Sequence, residues 1–181
     1  MIHTIGHSNR RWEVFLDLLL PAGVRWLADV RAIPRSRFNP QFNGKALIGA
    51  LAAAGIGYRH LPALGGRREG HYGLPPSLNA HWGKGAFHAY ADYALGPEFA
   101  AGLAELRELG QEGGCVMMCA EADWRQCHRQ IVADHLLHAG EPVMHIVADG
   151  IIPASLNPAA RVDAAGRLHY PAGGISGDLF G

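Results

Sequence analysis

The alternation of short apolar segments with stretches of helical periodicity limits the folds open to this 181-residue chain more than any other feature. Ile2-His3-Thr4-Ile5 reads as a first strand. Trp12, Phe15, Leu16 and Leu19 then recur at helical spacing until Pro21 and Gly23 stop them, with Ser8 or Asn9 as the expected cap. Val24 to Val30 reads as a second strand, 31–44 as a loop holding Pro34 and Pro40, Lys45 to Ala54 as a short helix, and Ile56 to His60 as a third strand. Such β-α-β-α-β order with short connections implies parallel strands and right-handed crossovers. Beyond an irregular stretch at 61–85, helical patterns cover Phe87 to Leu95 and the segment opened by Pro97, which carries Phe99, Leu103 and Leu106. A fourth strand at Cys115 to Cys119, a helix after Cys127 and a fifth strand at Val143 to Val147 complete the pattern. The fold class expected is therefore a three-layer, single-domain α/β protein, Rossmann-like, with a mainly parallel central sheet over residues 1–150. Residues 151–181 are rich in Gly, Ala and Pro, with a hairpin expected at Arg161 to Tyr170, and are expected to form a loosely packed extension.

A parallel sheet brings the carboxyl ends of its strands to one rim, where α/β proteins bind ligands. Four such ends here carry polar groups: Gly6-His7-Ser8-Asn9, Asp29-Val30-Arg31, Tyr58-Arg59-His60 and Cys119-Ala120-Glu121. The densest segment runs from Cys119 through Glu121, Asp123 and Arg125 to Cys127-His128-Arg129, between a buried strand and a helix start. If the helix starts near Cys127, its dipole and the neighbouring His128 and Arg129 should favour a thiolate there, whereas Cys119 at a strand end reads as a small apolar residue. As a nucleophile, Cys127 would have His7 or His128 as base and Glu121 as orienting carboxylate, although adjacent helical residues point apart and argue against a Cys127–His128 dyad. A structural reading, in which Cys127 caps the helix and His128 bonds a loop, stays open.

Acids and bases balance at sixteen each, so net charge selects no partner, but Arg31, Arg35 and Arg37 cluster with Ser36 and Asn39 in one loop. Guanidinium groups at that spacing suit phosphate oxygens, and Phe38 and Phe42 could stack on a base. A solvated basic loop, with Arg31 pairing Asp29 or Glu121, is the plainer alternative. The Cys119 to Arg125 spacing matches the C-x5-R loop of cysteine-dependent phosphatases, but Glu121 and Asp123 inside it would repel a phosphate dianion. Cys119, Glu121, Cys127 and His128 lack the C-x2-C or H-x3-H spacing usual for zinc, so no metal ligand is assigned, and the sequence names no cofactor. His71, His81 and His88, with Tyr72, Trp82 and Tyr90, follow no ligand spacing and read as a polar surface loop, with a lid contributing an aromatic or imidazole wall as the alternative.

Three cysteines, no charged and apolar leader and no apolar run of roughly 20 residues lead us to expect a cytoplasmic protein with reduced thiols and no membrane segment.

The segments Thr4-Ile5-Gly6-His7-Ser8, Asp29-Val30-Arg31-Ala32-Ile33-Pro34-Arg35-Ser36, Leu64-Gly65-Gly66 and Cys119-Ala120-Glu121 through Cys127-His128-Arg129 resemble the bacterial family known as domain of unknown function 488. The resemblance runs from about Met1 to Gly150. It implies a compact α/β domain with these motifs around one site and Cys127-His128-Arg129 as its firm element. It carries no reaction.

The reading these residues support is an enzyme acting on a phosphorylated or nucleotide-like ligand in a strand-end crevice. Cys127, Glu121 and His7 are the candidate catalytic groups; Ser8, Asp29, Arg31, Arg35, Ser36, Asn39, His128 and Arg129 are the candidate binding groups. Alternatives are a non-catalytic nucleic-acid-binding domain, contacting its partner through the same Arg and Phe residues, and a thiol-redox or metal-dependent protein.

Overall fold

The computed structural model describes residues 1–70 and 72–173. A six-stranded sheet is built from β1 (Ile2–Gly6), β2 (Trp26–Asp29), β3 (Gly57–His60), β4 (Cys115–Cys119), β5 (Val143–Val147) and β6 (Gly150–Pro153), in the order β3-β2-β4-β1-β5-β6. The first five strands are parallel; β6 is antiparallel to β5. Helices α1 (Trp12–Leu19) and α2 (Gly44–Ala53) are followed by α3 (Ala86–Tyr93), α4 (Pro97–Gln111) and α5 (Arg129–His138). None is long and apolar enough to cross a membrane.

Side chains alternate across the sheet, and the two faces make two cores. On one, Cys115, Met117 and Cys119 of β4 join Leu64, Tyr90, Phe99, Leu106, Ile131 and Leu136. On the other, Val116 and Met118 meet Phe15, Leu19, Phe42, Leu47 and Leu51. The strands read as continuous apolar runs because both faces are covered. This is the three-layer α/β arrangement expected.

Local details differ. Helix α1 starts at Trp12, and no side chain caps it, because Ser8 and Asn9 belong to the turn leaving β1. The second strand is shorter than Val24 to Val30, spanning Trp26–Asp29. The stretch after Gly150 is not loosely packed as far as Tyr170. It adds β6 to the sheet and forms a small hairpin from β7 (Arg161–Val162) and β8 (Leu168–His169). It also buries Ala160, Leu168 and Tyr170. The Tyr170 hydroxyl donates to Asp134 of α5 at 2.9 Å, and its backbone N–H donates to the Asn79 side chain at 3.0 Å. Asn79 in turn donates to Asp92 at 2.7 Å, so the irregular 61–85 segment is pinned rather than free. His71 and residues 174–181 lie outside the described residues.

Two outcomes follow. Tyr170→Ala should destabilise the domain by about 3–5 kcal/mol, as removal of a fully buried aromatic does, read as a lower denaturant midpoint. Burial pushes His7, His135 and His145 each down to about 4. In the unfolded chain these imidazoles protonate near 6.5, so the stability they confer is complete above that pH and is lost as pH falls toward 4. Asp134 acts in the opposite sense, since burial raises its carboxyl to about 6 and its protonation favours the fold below that pH. Tm should therefore fall between pH 6.5 and 4, and Asp134→Asn, which removes the opposing group, should make the fall steeper.

Candidate active site

β4 lies between β2 and β1, so the carboxyl ends Asp29, Cys119 and Gly6 are neighbours on one rim. The chains leaving them stay paired: His7 N–H donates to Cys119 O, Ser8 N–H to Ala120 O, and Val30 N–H to Met118 O. Gly6 permits this closeness, because a Cβ there would overlap the Glu121 carbonyl.

One buried network ties the rim together. Arg31 Nε and Nη2 donate to the two Asp29 carboxylate oxygens at 2.8 and 2.6 Å, and Nη2 also donates to Phe42 O at 2.8 Å. Tyr58 donates its hydroxyl to Asp29 at 2.9 Å. His7 Nδ1 lies 2.7 Å from Ser8 O, an acceptor only, so Nδ1 carries the proton and bare Nε2 accepts from Arg31 Nη1 at 3.2 Å. The His7 ring stacks on Phe42 with centroids 4.3 Å apart. Arg31 thus has its charge met by Asp29, and His7 has its lone pair occupied. These bonds tie both, with Asp29, into the rim, while Arg31 also lines the cleft and His7 the neighbouring groove. Phe42 is fully buried and offers no stacking surface, unlike Phe38.

Cys127 ends a short 3-10 turn at Trp124–Gln126 in extended conformation, with φ −134° and ψ 145°, and α5 begins only at Arg129. This kink reverses the expectation that Cys127 and His128 point apart. His128 Nδ1 lies 3.6 Å from Cys127 Sγ, while Nε2 lies 3.0 Å from Val30 O. That carbonyl can only accept, so it draws a proton onto Nε2 and presents Nδ1 to the sulfur, as in a nucleophile–base–orienter arrangement. Gly66 makes room for the ring, since a Cβ there would overlap Nδ1.

Arg129 is the other half of the site. It is only 1% exposed, yet no carboxylate lies within ion-pair reach among the described residues. Its guanidinium donates to Cys127 Sγ at 3.3 Å, to Thr4 Oγ1 at 3.4 Å and to the Glu121 carbonyl. An unpaired buried charge costs several kcal/mol, and the Cys127 sulfur is the one neighbour among these that can carry the compensating charge. A hydrogen bond from Cys119, the His128 ring and the Arg129 charge together hold the Cys127 thiol well below its ordinary range, outweighing burial. Cys119 moves up, through its bond to Cys127 and through burial. Burial alone holds Cys115 up at about 12.

A cleft of ≈ 490 Å³ opens onto part of this set. Cys119, Cys127 and His128 stand in it beside Phe87 and Tyr90, and Arg35 and Arg67 are at its margin. Both of those guanidinium groups are exposed and have no hydrogen-bond or ion-pair partner among the described residues. Glu121 is exposed and lines both this cleft and a neighbouring polar groove holding His7, Ser8, Ser36 and Asn39. Ser36 and Asn39 brace their own loop, since Asn39 N–H donates to Ser36 Oγ and Ser36 N–H to Asn43. Arg125 pairs with Asp123, stacks on Trp124 and lines a separate cavity, so it does not complete a phosphatase-like loop with Cys119. Arg68 donates to Pro62 O and Ala63 O with its charge over Tyr93, and is not a free contact. Sequence reasoning did not bring Gly66 or Phe87 to this cleft, and it placed Tyr90 in a polar loop; Gly66 left a signal in the Leu64-Gly65-Gly66 motif.

Cys119, Cys127 and His128 also offer metal-ligand atoms within 4.8 Å of one another. The Arg129 guanidinium bonded to one of those sulfurs favours an anion there over a cation.

A family model described as domain of unknown function DUF488 matches residues 11–136. No curated protein and no solved structure matches the chain.

Arg129→Gln should raise the pH midpoint of Cys127 alkylation, because the thiolate loses its buried counter-charge. Gly66→Ala should displace His128 and slow alkylation at neutral pH. Rates of iodoacetamide labelling, resolved by peptide mass spectrometry, check both.

Proposed function

The chain belongs to the domain of unknown function DUF488 family, and on the chemistry of its cleft we propose that it is an enzyme using the Cys127 thiolate as nucleophile toward a phosphorylated or nucleotide-like ligand. The observation that carries this is the buried Arg129 guanidinium whose available counter-charge is the Cys127 sulfur. A structural cysteine needs no such partner.

The roles divide by position. His128 Nδ1 takes the thiol proton, and Val30 O keeps the ring in the tautomer that can do so. As Sγ bonds to the electrophilic centre, the bond to the leaving group breaks and His128 returns the proton to it. Water then cleaves the bond to sulfur and restores the thiol. Arg35 and Arg67 meet the anion at the margin, and the half-buried Phe87 supplies an apolar wall for a base or similar ring. Glu121 at the cleft edge is placed to discriminate among ligand groups, and Arg31, Asp29 and His7 support the rim.

The test uses alkylation as reporter. Cys127 should react with iodoacetamide faster than Cys115 or Cys119, keep reacting below pH 7, and be protected by AMP or inorganic pyrophosphate. Arg35→Ala and Arg67→Ala should each weaken protection by about tenfold or more, the worth of a charge-assisted hydrogen bond. Labelling no faster than at Cys115, or no protection by either anion, would remove the proposal.

A further inference from the structure

The nucleophilic thiolate of this cleft has a second thiol within reach of it. Sγ of Cys119, Sγ of Cys127 and a ring nitrogen of His128 all lie within 4.8 Å of one another, and both cysteines line the same cleft. The topology makes this contact: Cys119 is the last residue of β4, and the 120–126 loop returns the chain over the strand's end before α5. Cys115 lies at the opposite end of β4, paired with Ile2, and lines no part of the cleft.

We infer that Cys119 and Cys127 form a dithiol–disulfide couple through which the protein reduces a hydroperoxide. This rests on the same Cys127 thiolate as the proposed function, but adds Cys119 as the resolving thiol and a small, uncharged oxidant as substrate. Cys127 is 2% exposed at the floor of the cleft, a depth that a small, uncharged peroxide can reach.

The chemistry balances within the cleft. The Cys127 thiolate attacks one peroxide oxygen; the S–O bond forms as the O–O bond breaks, and the departing alkoxide leaves as an alcohol with a proton passed from His128. The Cys119 sulfur then attacks the Cys127 sulfenic acid. The S–S bond forms, the S–O bond breaks, and hydroxide leaves as water with the proton of the Cys119 thiol. Two thiols supply the two electrons. A small-molecule thiol such as glutathione returns the disulfide to dithiol by exchange. That return is favoured because the disulfide deprives Arg129 of its anion, and couples whose reduced thiolate is stabilised are readily reduced.

The full-length protein is treated with one equivalent of hydrogen peroxide and digested with trypsin. Cleavage after Arg107, Arg125 and Arg129 leaves Cys115 and Cys119 in 108–125 and Cys127 in 126–129. A cross-link between those two peptides is expected in the wild type, with free thiols falling from the three of the sequence to one, and in Cys115→Ser, with the two that remain falling to none. In Cys119→Ser, dimedone should instead capture a sulfenic acid on Cys127. Wild-type protein that accumulates sulfenic or sulfinic acid on Cys127 without the cross-link would overturn the inference. If Cys127 is still alkylated rapidly and protected by anions, the proposed function survives that result. If Cys127 reacts with neither reagent, both fall.

Discussion

A single buried positive charge organises the reactive end of this molecule. Arg129 is the largest of the fully buried side chains, and its guanidinium bonds to β1 through Thr4, to the β4–α5 loop through the Glu121 carbonyl, and to Cys127. Desolvating a guanidinium is costly, so the fold must supply acceptors from several directions and an anion from one of them. The acceptors are a hydroxyl and a carbonyl, both neutral. The anion is left to sulfur, so the architecture that buries Arg129 is also the one that activates Cys127.

The second buried guanidinium, Arg31, shows the contrasting solution. It sits against a carboxylate in fork geometry and is neutralised by Asp29. Two arginines on one rim therefore do different work: one is matched and structural, the other is matched only if a cysteine ionises. The exposed Arg35 and Arg67 form a third kind, open to a ligand. Burial and partners, not residue type, separate these roles.

This explains what the sequence disclosed and what it concealed. Strand and helix periodicity was enough to locate the parallel strands and the rim, because apolar runs covered on both faces leave a strong pattern. Cys127, His128 and Arg129 were legible as a group because chemistry-bearing residues crowd one turn. Their geometry was not legible, since it depends on one extended residue before α5, and a helix starting two residues earlier would have pointed the thiol and the imidazole apart. His7, Asp29 and Arg31 were read at strand ends, and the Arg31–Asp29 pair was among the readings, but the hydrogen bond between residues as far apart as His7 and Arg31 leaves no trace in spacing. The packing of Tyr170 on Asp134 was hidden for the same reason: a Gly/Ala/Pro-rich stretch looks loose until a buried aromatic in it finds a distant partner.

The position of β1 has a consequence for how the chain reaches this state. Ile2 pairs on one side with Cys115 and on the other with Val143, so the strand at the middle of the sheet precedes both its neighbours by most of the chain. Contacts of such separation close slowly, because loop entropy is lost before they return anything. Until β4 and β5 exist, the apolar β1 has two open edges and two bare faces. The reactive rim, which needs β1, β2 and β4 side by side, therefore exists only once these long-range pairings have closed.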